Sequence, residues 1–219
     1  MADSTATFVF ADIAGFTALT EAHGDEEALA LVERFSDAVA AELPAASGEH
    51  VKTIGDALML RVPEPGPAIR LGLRIVRGAL GDHGEPAVRV GLHHGSAVER
   101  SGDYFGAAVN LAARISALAA GGEVLVSGKT AGLVPELEGV VYESRGRQVL
   151  RNVSEPVEIF AALEVGETAD RLPVDPVCRM AVDPEHAPGR LLHGGRAYFF
   201  CSLTCAGEFA RQPERFVAD

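Results

Sequence analysis

Asp12 and Asp56 each stand where an apolar run gives way to a turn, in Phe10-Ala-Asp12-Ile-Ala-Gly-Phe-Thr and Lys52-Thr-Ile-Gly-Asp56. Further along, Asp103, Asn110 and Arg114 gather on and just before one helical stretch, Asp103-Tyr-Phe-Gly-Ala-Ala-Val-Asn110-Leu-Ala-Ala-Arg114. Carboxylates brought together hold hard divalent cations, and a pair of such cations can activate a hydroxyl and clamp a phosphate. The later group adds side chains able to read a base and a guanidinium able to meet charge at phosphorus. Asn110 and Arg114 lie four residues apart, so a helix presents them on one face. Together the five residues supply the polar parts of a divalent-metal nucleotide reaction. No one of them carries that inference alone, since each fits an ordinary turn, cap or solvated helix face.

The elements that must position them can be read from hydrophobic spacing. Residues 7–10 form a short apolar run that ends at Asp12 and predicts a buried strand. Residues 25–43 repeat Leu29, Leu31, Val32, Phe35 and Val39 at helical intervals behind an acidic first turn, which predicts a helix. Residues 51–54 and 57–62 flank Gly55-Asp56, and glycine first in a two-residue turn predicts a type II′ hairpin with Asp56 at its tip. A helix over 68–80 and a strand over 87–92 follow. The order β-α-β-β-α-β predicts an α+β, ferredoxin-like sheet with helices on one face. A further helix over 107–119, a strand over 123–127 and two late strands over 140–144 and 157–163 complete a first domain, residues 1–163. Residues 164–173 are polar with Gly and Pro and read as a linker. Residues 174–219 then change character, with all three cysteines among histidines, prolines and aromatics.

Composition narrows the function classes. A chain of 219 residues with 47% hydrophobic residues suffices for one full domain and one small one. A net charge of −12 argues against nucleic acid, whose phosphates call for a basic surface, and against an anionic membrane face. A nucleotide substrate survives that objection, because cations can neutralise it locally. No apolar stretch approaches the ~20 residues that span a bilayer. The opening Met-Ala-Asp-Ser-Thr-Ala lacks the basic and apolar regions of a secretion signal, so the cytoplasm is the expected location. An odd number of cysteines in a reducing compartment reads as metal ligands or thiols before disulfides.

The motifs around Asp12, Lys52–Asp56 and Asp103–Arg114, in this order over roughly residues 5–163, resemble a class III nucleotidyl cyclase domain. The resemblance implies that Asp12 and Asp56, joined by the backbone carbonyl of Ile13, hold two Mg²⁺ or Mn²⁺ ions per site. It implies that Lys52 and Asp103 select the purine, in the adenine-reading combination, so that ATP is the expected substrate and cyclic AMP and pyrophosphate the products. Guanylate cyclisation is the alternative that Lys52 and Asp103 disfavour. Asn110 would orient the ribose and Arg114 would stabilise charge on the α-phosphate. Arg151 stands where relatives hold the terminal phosphates, although surface charge explains it almost as well. Glu123 departs from the pattern, opening a strand where some relatives place a basic phosphate contact. In this family two domains share each site. A chain carrying both halves therefore implies a homodimer with two equivalent sites.

The last segment resembles a YHS domain and the related TRASH metal-binding modules. The resemblance rests on Asp175-Pro-Val-Cys178, Arg196-Ala-Tyr-Phe-Phe-Cys201-Ser-Leu-Thr-Cys205, Phe209 and Phe216. Cys201 and Cys205 would lie one helical turn apart, so both sulfurs can face one ion, with His193 or His186 as a candidate fourth ligand. Thiolates suit Cu(I) or Zn(II). The competing reading makes the cysteines small buried apolar residues. The fusion suggests a metal-responsive cyclase; the alternative is a metal-binding protein whose cyclase-like domain is catalytically idle.

Overall fold

A computed structural model describes residues 3–81, 86–166 and 172–217 of the chain. In chain order the elements begin with β1 (Asp3–Ile13), α1 (Phe16–His23), α2 (Asp25–Glu42), β2 (Glu49–Ile54), β3 (Ala57–Val62) and α3 (Pro65–Gly81). They continue with β4 (Val88–Arg100), β5 (Asp103–Phe105), α4 (Ala107–Leu118), β6 (Val124–Ser127), α5 (Gly128–Leu133), β7 (Val140–Gln148) and β8 (Val157–Glu164). The C-terminal module adds β9 (Gly189–His193), β10 (Arg196–Phe200) and α6 (Leu203–Arg211).

One sheet carries the first module in the order β2-β3-β1-β4-β6-β8-β7, with β5 pairing the far end of β4. Its pairings are antiparallel except for β4 with β6. β1 is apolar on both faces because both are covered. Val9, Ala11 and Ile13 pack with Leu31, Phe35, Ile69 and Leu73 of α2 and α3. Phe8 and Phe10 pack on the other face with Ala108, Val109 and Ala112 of α4. The α+β architecture thus matches the expected fold, with α4 on the face opposite to α2 and α3. Asp25, Glu26 and Glu27 sit in the first turn of α2, where negative charge favours the helix dipole.

Two local features set the site. Ile54 pairs with Ala57 across a two-residue turn, with Gly55 at φ +66° and Asp56 outside the positive-φ set. That is the type II′ pattern expected, because only the first turn position needs φ above zero. The second feature is Gly91 on β4, where α4 lies directly on the strand. A Cβ there would fall 2.0 Å from the Ser116 backbone nitrogen. The missing side chain is what allows the helix bearing Asn110 and Arg114 to sit this low.

Several elements escaped the sequence reading because they are too short to show a period. These are α1, β5, α5 and the β9–β10 hairpin. β4 is also much longer than the strand expected over 87–92, and its extension carries β5. Of the expected linker, Glu164 closes β8 and Pro173 accepts a hydrogen bond from the Val182 amide; residues 167–171 lie outside the described residues. In the C-terminal module Phe209 packs on Tyr198 and Phe200, with ring centroids 4.9 and 5.2 Å away. Its buried Val177, Cys178, Met180, Phe200 and Phe209 are continuous with the core under α2 and α3, so the two modules share one apolar core.

Gly91→Ala should lower stability by about 3 kcal/mol or more, because the new methyl group must displace helix backbone rather than a flexible side-chain tip. Chemical denaturation checks this. A loss comparable to that of Gly132→Ala, where a Cβ meets nothing within 4 Å, would contradict it.

Candidate functional site

The β1–β4 register places Asp12 directly opposite Arg89. The Arg89 guanidinium donates to Asp12 Oδ2 through Nε at 2.8 Å and Nη2 at 2.5 Å. Asp56 comes to the same place from the β2–β3 turn. Its carboxyl pKa is pushed up to about 6, first by burial, then by a hydrogen bond to Asp12 and by the Asp12 charge; Arg89 pulls the other way. Two carboxylates sharing the neighbourhood of one guanidinium leave an excess of negative charge. An all-oxygen donor set of this kind fits Mg²⁺ or Mn²⁺, and the proton on Asp56 stands in for part of the missing positive charge. Ile13 ends β1 beside Asp12, its side chain buried in the core.

A second cluster forms on the α4 face of the sheet. β5 folds back over β2, where the Tyr104 hydroxyl donates to Glu49 and its ring lies 5.6 Å from that of Phe8. This brings Lys52 of β2 to Asp103 of β5, with Nζ donating to Oδ2 at 2.6 Å and the ammonium 5.4 Å from the Phe105 ring centroid. The Lys52 hydrogen bond holds the Asp103 carboxyl below the usual carboxylate range. Being half-exposed, the pair adds little stability. Its value is a donor and an acceptor fixed side by side. Lys52 borders a cleft of about 380 Å³, which is also lined by Phe10, Met59, Val109 and Asn110, and Asp103 adjoins it through its bond to Lys52. Its apolar walls and few polar groups suit a flat heteroaromatic ring. Arg114 stands exposed one turn beyond Asn110 on α4. Another cleft, of about 260 Å³ between α2 and α3, contains none of the sequence-predicted residues.

Among the described residues, the side-chain hydrogen bonds and ion pairs of these two clusters stay within each cluster: Asp12, Asp56 and Arg89 in one, Lys52 and Asp103 in the other. Arg151 lies in the exposed turn between β7 and β8. Its neighbour Leu150 packs with Ile115 and Ala119, so the turn is anchored at the end of α4. Glu123, the departure noted in the sequence, accepts from Arg145 Nε at 2.9 Å and from the Ala120 amide at 3.0 Å. It is thereby committed to the fold.

The third cluster is sulfur. Cys178 Sγ lies 3.3 Å from Cys201 Sγ, which lies 3.8 Å from Cys205 Sγ. Buried Asp175 accepts from the amides of Val177 and Cys201, both at 2.8 Å, and so ties the two cysteine-bearing loops together. Thiol donors from Cys178 and then Cys201 push the Cys205 thiol down, while the same crowding and burial push Cys178 up. The fourth group is His23 at the end of α1, whose Nε2 is 3.5 Å from Cys201 Sγ. This corrects the expectation of His186 or His193. His186 is exposed and bonded to Asp183, and His193 stands edge-on to Phe209 at 5.9 Å. Three sulfurs and one imidazole, with donor atoms all within 4.8 Å of one another, can hold a metal ion.

Sequence reasoning missed Arg89 and His23. Arg89 sits in a plain strand, Val88-Arg-Val-Gly91, and its relation to Asp12 exists only through the strand register. His23 lies more than a hundred residues from the first cysteine.

Comparison with known proteins agrees with this geometry. The adenylate and guanylate cyclase catalytic domain model matches residues 2–161, and the YHS domain model matches 174–219. The chain therefore belongs to the class III nucleotidyl cyclases, with a YHS domain appended. It is 38% identical over 157 residues to a pH-sensitive adenylate cyclase of Mycobacterium tuberculosis, covering 70% of this chain and 39% of that one. It is 36% identical over 187 residues to an adenylate cyclase of Streptomyces griseus, covering 84% and 46%. The chain thus spans less than half the length of these relatives. Over 51 residues it is 45% identical to a copper-transporting P-type ATPase of Rhizobium leguminosarum, covering 23% of this chain and 6% of that one. Among solved structures, the adenylyl cyclase CyaB from P. aeruginosa superposes with a TM-score of 0.65 at 22% identity, over 74% of this chain and 95% of that one. At that identity the likeness shows the fold. Among the described residues no helix is long and apolar enough to cross a membrane.

In the metal-free protein, carboxyl NMR should place the Asp56 titration near pH 6. The native state then holds a proton that the unfolded chain has released, so the Asp56 contribution to stability falls as pH rises from about 4 to about 6. Asp12→Asn should move the Asp56 pKa towards the ordinary carboxylate value and flatten that limb. An Asp56 titration unaltered by Asp12→Asn would refute the pairing.

Proposed function

We propose that the chain is an adenylate cyclase that converts ATP to 3′,5′-cyclic AMP and pyrophosphate as a homodimer with two shared sites. The observation that supports this best is the pair of separate half-sites on one chain. Asp12 and Asp56 form one; Lys52 and Asn110 line the other, with Asp103 bonded to Lys52 and Arg114 one turn beyond Asn110 on α4. Ile54 and Phe105, about half exposed, leave apolar surface beside the second half-site, as an interface between copies would use.

Asp12, Asp56 and the Ile13 carbonyl would hold Mg²⁺ or Mn²⁺, which would supply acidification of the ribose 3′-hydroxyl and neutralisation of the triphosphate. With the carboxylates so occupied, Arg89 is left at the same edge with its charge free to meet phosphate oxygens. Lys52 donates to the adenine ring and Asp103 accepts from its amino group. A guanine would present the opposite pattern and leave buried polar groups unpaired. Asn110 holds the ribose, Arg114 meets the charge that develops at the α-phosphate, and Arg151 holds the terminal phosphates. The C-terminal module takes Cu(I) or Zn(II) at Cys178, Cys201 and Cys205 and tunes the output of the cyclase. Lack of a membrane-spanning helix among the described residues fits a cytoplasmic enzyme.

Purified protein with ATP and Mn²⁺ should yield cyclic AMP, and Asp12→Ala should abolish it. GTP should turn over far more slowly. Lys52→Glu should lower the preference for ATP by at least ~100-fold. Mixing Asp12→Ala with Arg114→Ala should restore part of the activity that each lacks, since a mixed dimer rebuilds one complete site. No product from either nucleotide would favour the idle, metal-binding reading; activity without complementation would refute the shared sites. Zinc or copper should change the rate of the full chain but not that of Cys201→Ser, and equal responses would sink the regulatory part.

A further inference from the structure

His23 belongs to the cyclase module, whereas the three cysteines belong to the YHS module. A tetrahedral ion at the usual ~2.3 Å from sulfur and ~2.0–2.1 Å from nitrogen has sulfur–sulfur edges of about 3.8 Å and sulfur–nitrogen edges of about 3.6 Å. The observed separations are 3.3 and 3.8 Å between sulfurs and 3.5 Å from Cys201 Sγ to His23 Nε2. A histidine that merely bonded Cys201 would have no reason to bring its nitrogen close to all three sulfurs. Here the four donor atoms converge, and the Asp175 clamp already fixes the loops that carry Cys178 and Cys201.

The same side of the YHS module touches the turn behind Asp12. Gly15 takes φ +76°, and a Cβ there would fall 2.6 Å from Cγ of Arg179, the residue that follows Cys178. The Arg179 carbonyl accepts from the Ala87 amide at 3.0 Å, and the Ala87 carbonyl accepts from the Ala14 amide at 2.8 Å. Met180 bridges Pro86 just ahead of β4, the strand bearing Arg89. One face of the metal-binding loop therefore rests on residues 14–15 and 86–87, and its sulfurs meet the far end of α1.

We propose that His23 completes the thiol cluster as a four-coordinate site for a thiophilic d¹⁰ cation, Zn(II) or Cu(I), and that the bound ion fastens the YHS module to the segment 13–23 that follows Asp12. The proposal rests on the reading of the three thiols as ligands and goes beyond it in the histidine and in the fastening. Three sulfurs and one imidazole leave no open position, so the ion is a structural lock rather than a reaction centre. Such an ion joins an element of the cyclase site to the YHS module, giving metal occupancy a direct mechanical route to the carboxylate pair.

The experiment uses the full chain, with Co(II) as the spectroscopic probe and Zn(II) and Cu(I) in separate competition titrations. Wild type should bind one equivalent with the absorption of a four-coordinate sulfur–nitrogen site. His23→Ala should bind at least about 10-fold more weakly and with an altered spectrum. Metal should slow amide exchange over residues 13–23 in wild type and not in the variant. Identical affinity and spectrum in His23→Ala overturn the fourth ligand. Metal binding that leaves exchange over 13–23 unchanged overturns the fastening. Failure of wild type to bind any of the three ions overturns the thiol reading itself, and leaves the cyclase assay unaffected. Should His23→Ala fold poorly, ¹⁵N-histidine NMR of cadmium-loaded wild type decides: coupling from cadmium to the His23 imidazole supports the proposal, and its absence refutes it.

Discussion

The pairing of β1 with β4, antiparallel from Asp3↔Val98 to Ile13↔Val88, is the constraint on which the other functional positions depend. It buries β1 between two helical layers and sets Asp12 against Arg89 at one end. At the other end it extends β4 far enough to carry β5 back over β2, which is how Asp103 reaches Lys52. The same strand offers Gly91 as the seat for α4. A one-residue slip would reverse every side chain of β1 and send Asp12 to the face packed by α2 and α3. The buried residues Val9, Ala11 and Ile13 on one face and Phe8 and Phe10 on the other hold the register against that slip.

The site is built around charge that the fold alone leaves unbalanced. Asp12 has a guanidinium, but Asp56 approaches it closely enough that burial and like charge keep a proton in play near neutral pH. Positioning two such groups costs stability, and natural proteins accept that cost where a ligand later offsets it. The Lys52–Asp103 pair behaves differently. Each partner satisfies the other, so the two side chains stay ordered without a charge left alone.

The YHS module is part of the same core rather than a tethered bead. Val177, Met180, Phe200 and Phe209 continue the apolar cluster that begins under α2 and α3. Small modules of this size seldom hold together on apolar contacts alone, and here docking and a thiol cluster supply the remainder. The docking residues meet the cyclase beside Asp12 and Arg89, so the two modules are in mechanical contact at the place where chemistry is proposed.

The sequence alone determined the β-α-β-β-α-β order, the hairpin that lifts Asp56 and the helix that carries Asn110 and Arg114. Those features follow from local rules: hydrophobic period, a glycine at the first turn position, and four-residue spacing on one helix face. It also made the cysteine cluster legible, because Cys201 and Cys205 lie one turn apart on or beside α6. Arg89, the β5 fold-back and His23 were not legible. Arg89 is a strand arginine until the register puts it across from Asp12. β5 has three residues and no period, and it exists only because β4 runs on past its expected end. His23 lies far from the cysteines in the chain, whereas His186 and His193 lie near them. Docking through a shared core reversed that ranking, because a metal site is chosen by distances in space, and only the packed tertiary structure sets those distances.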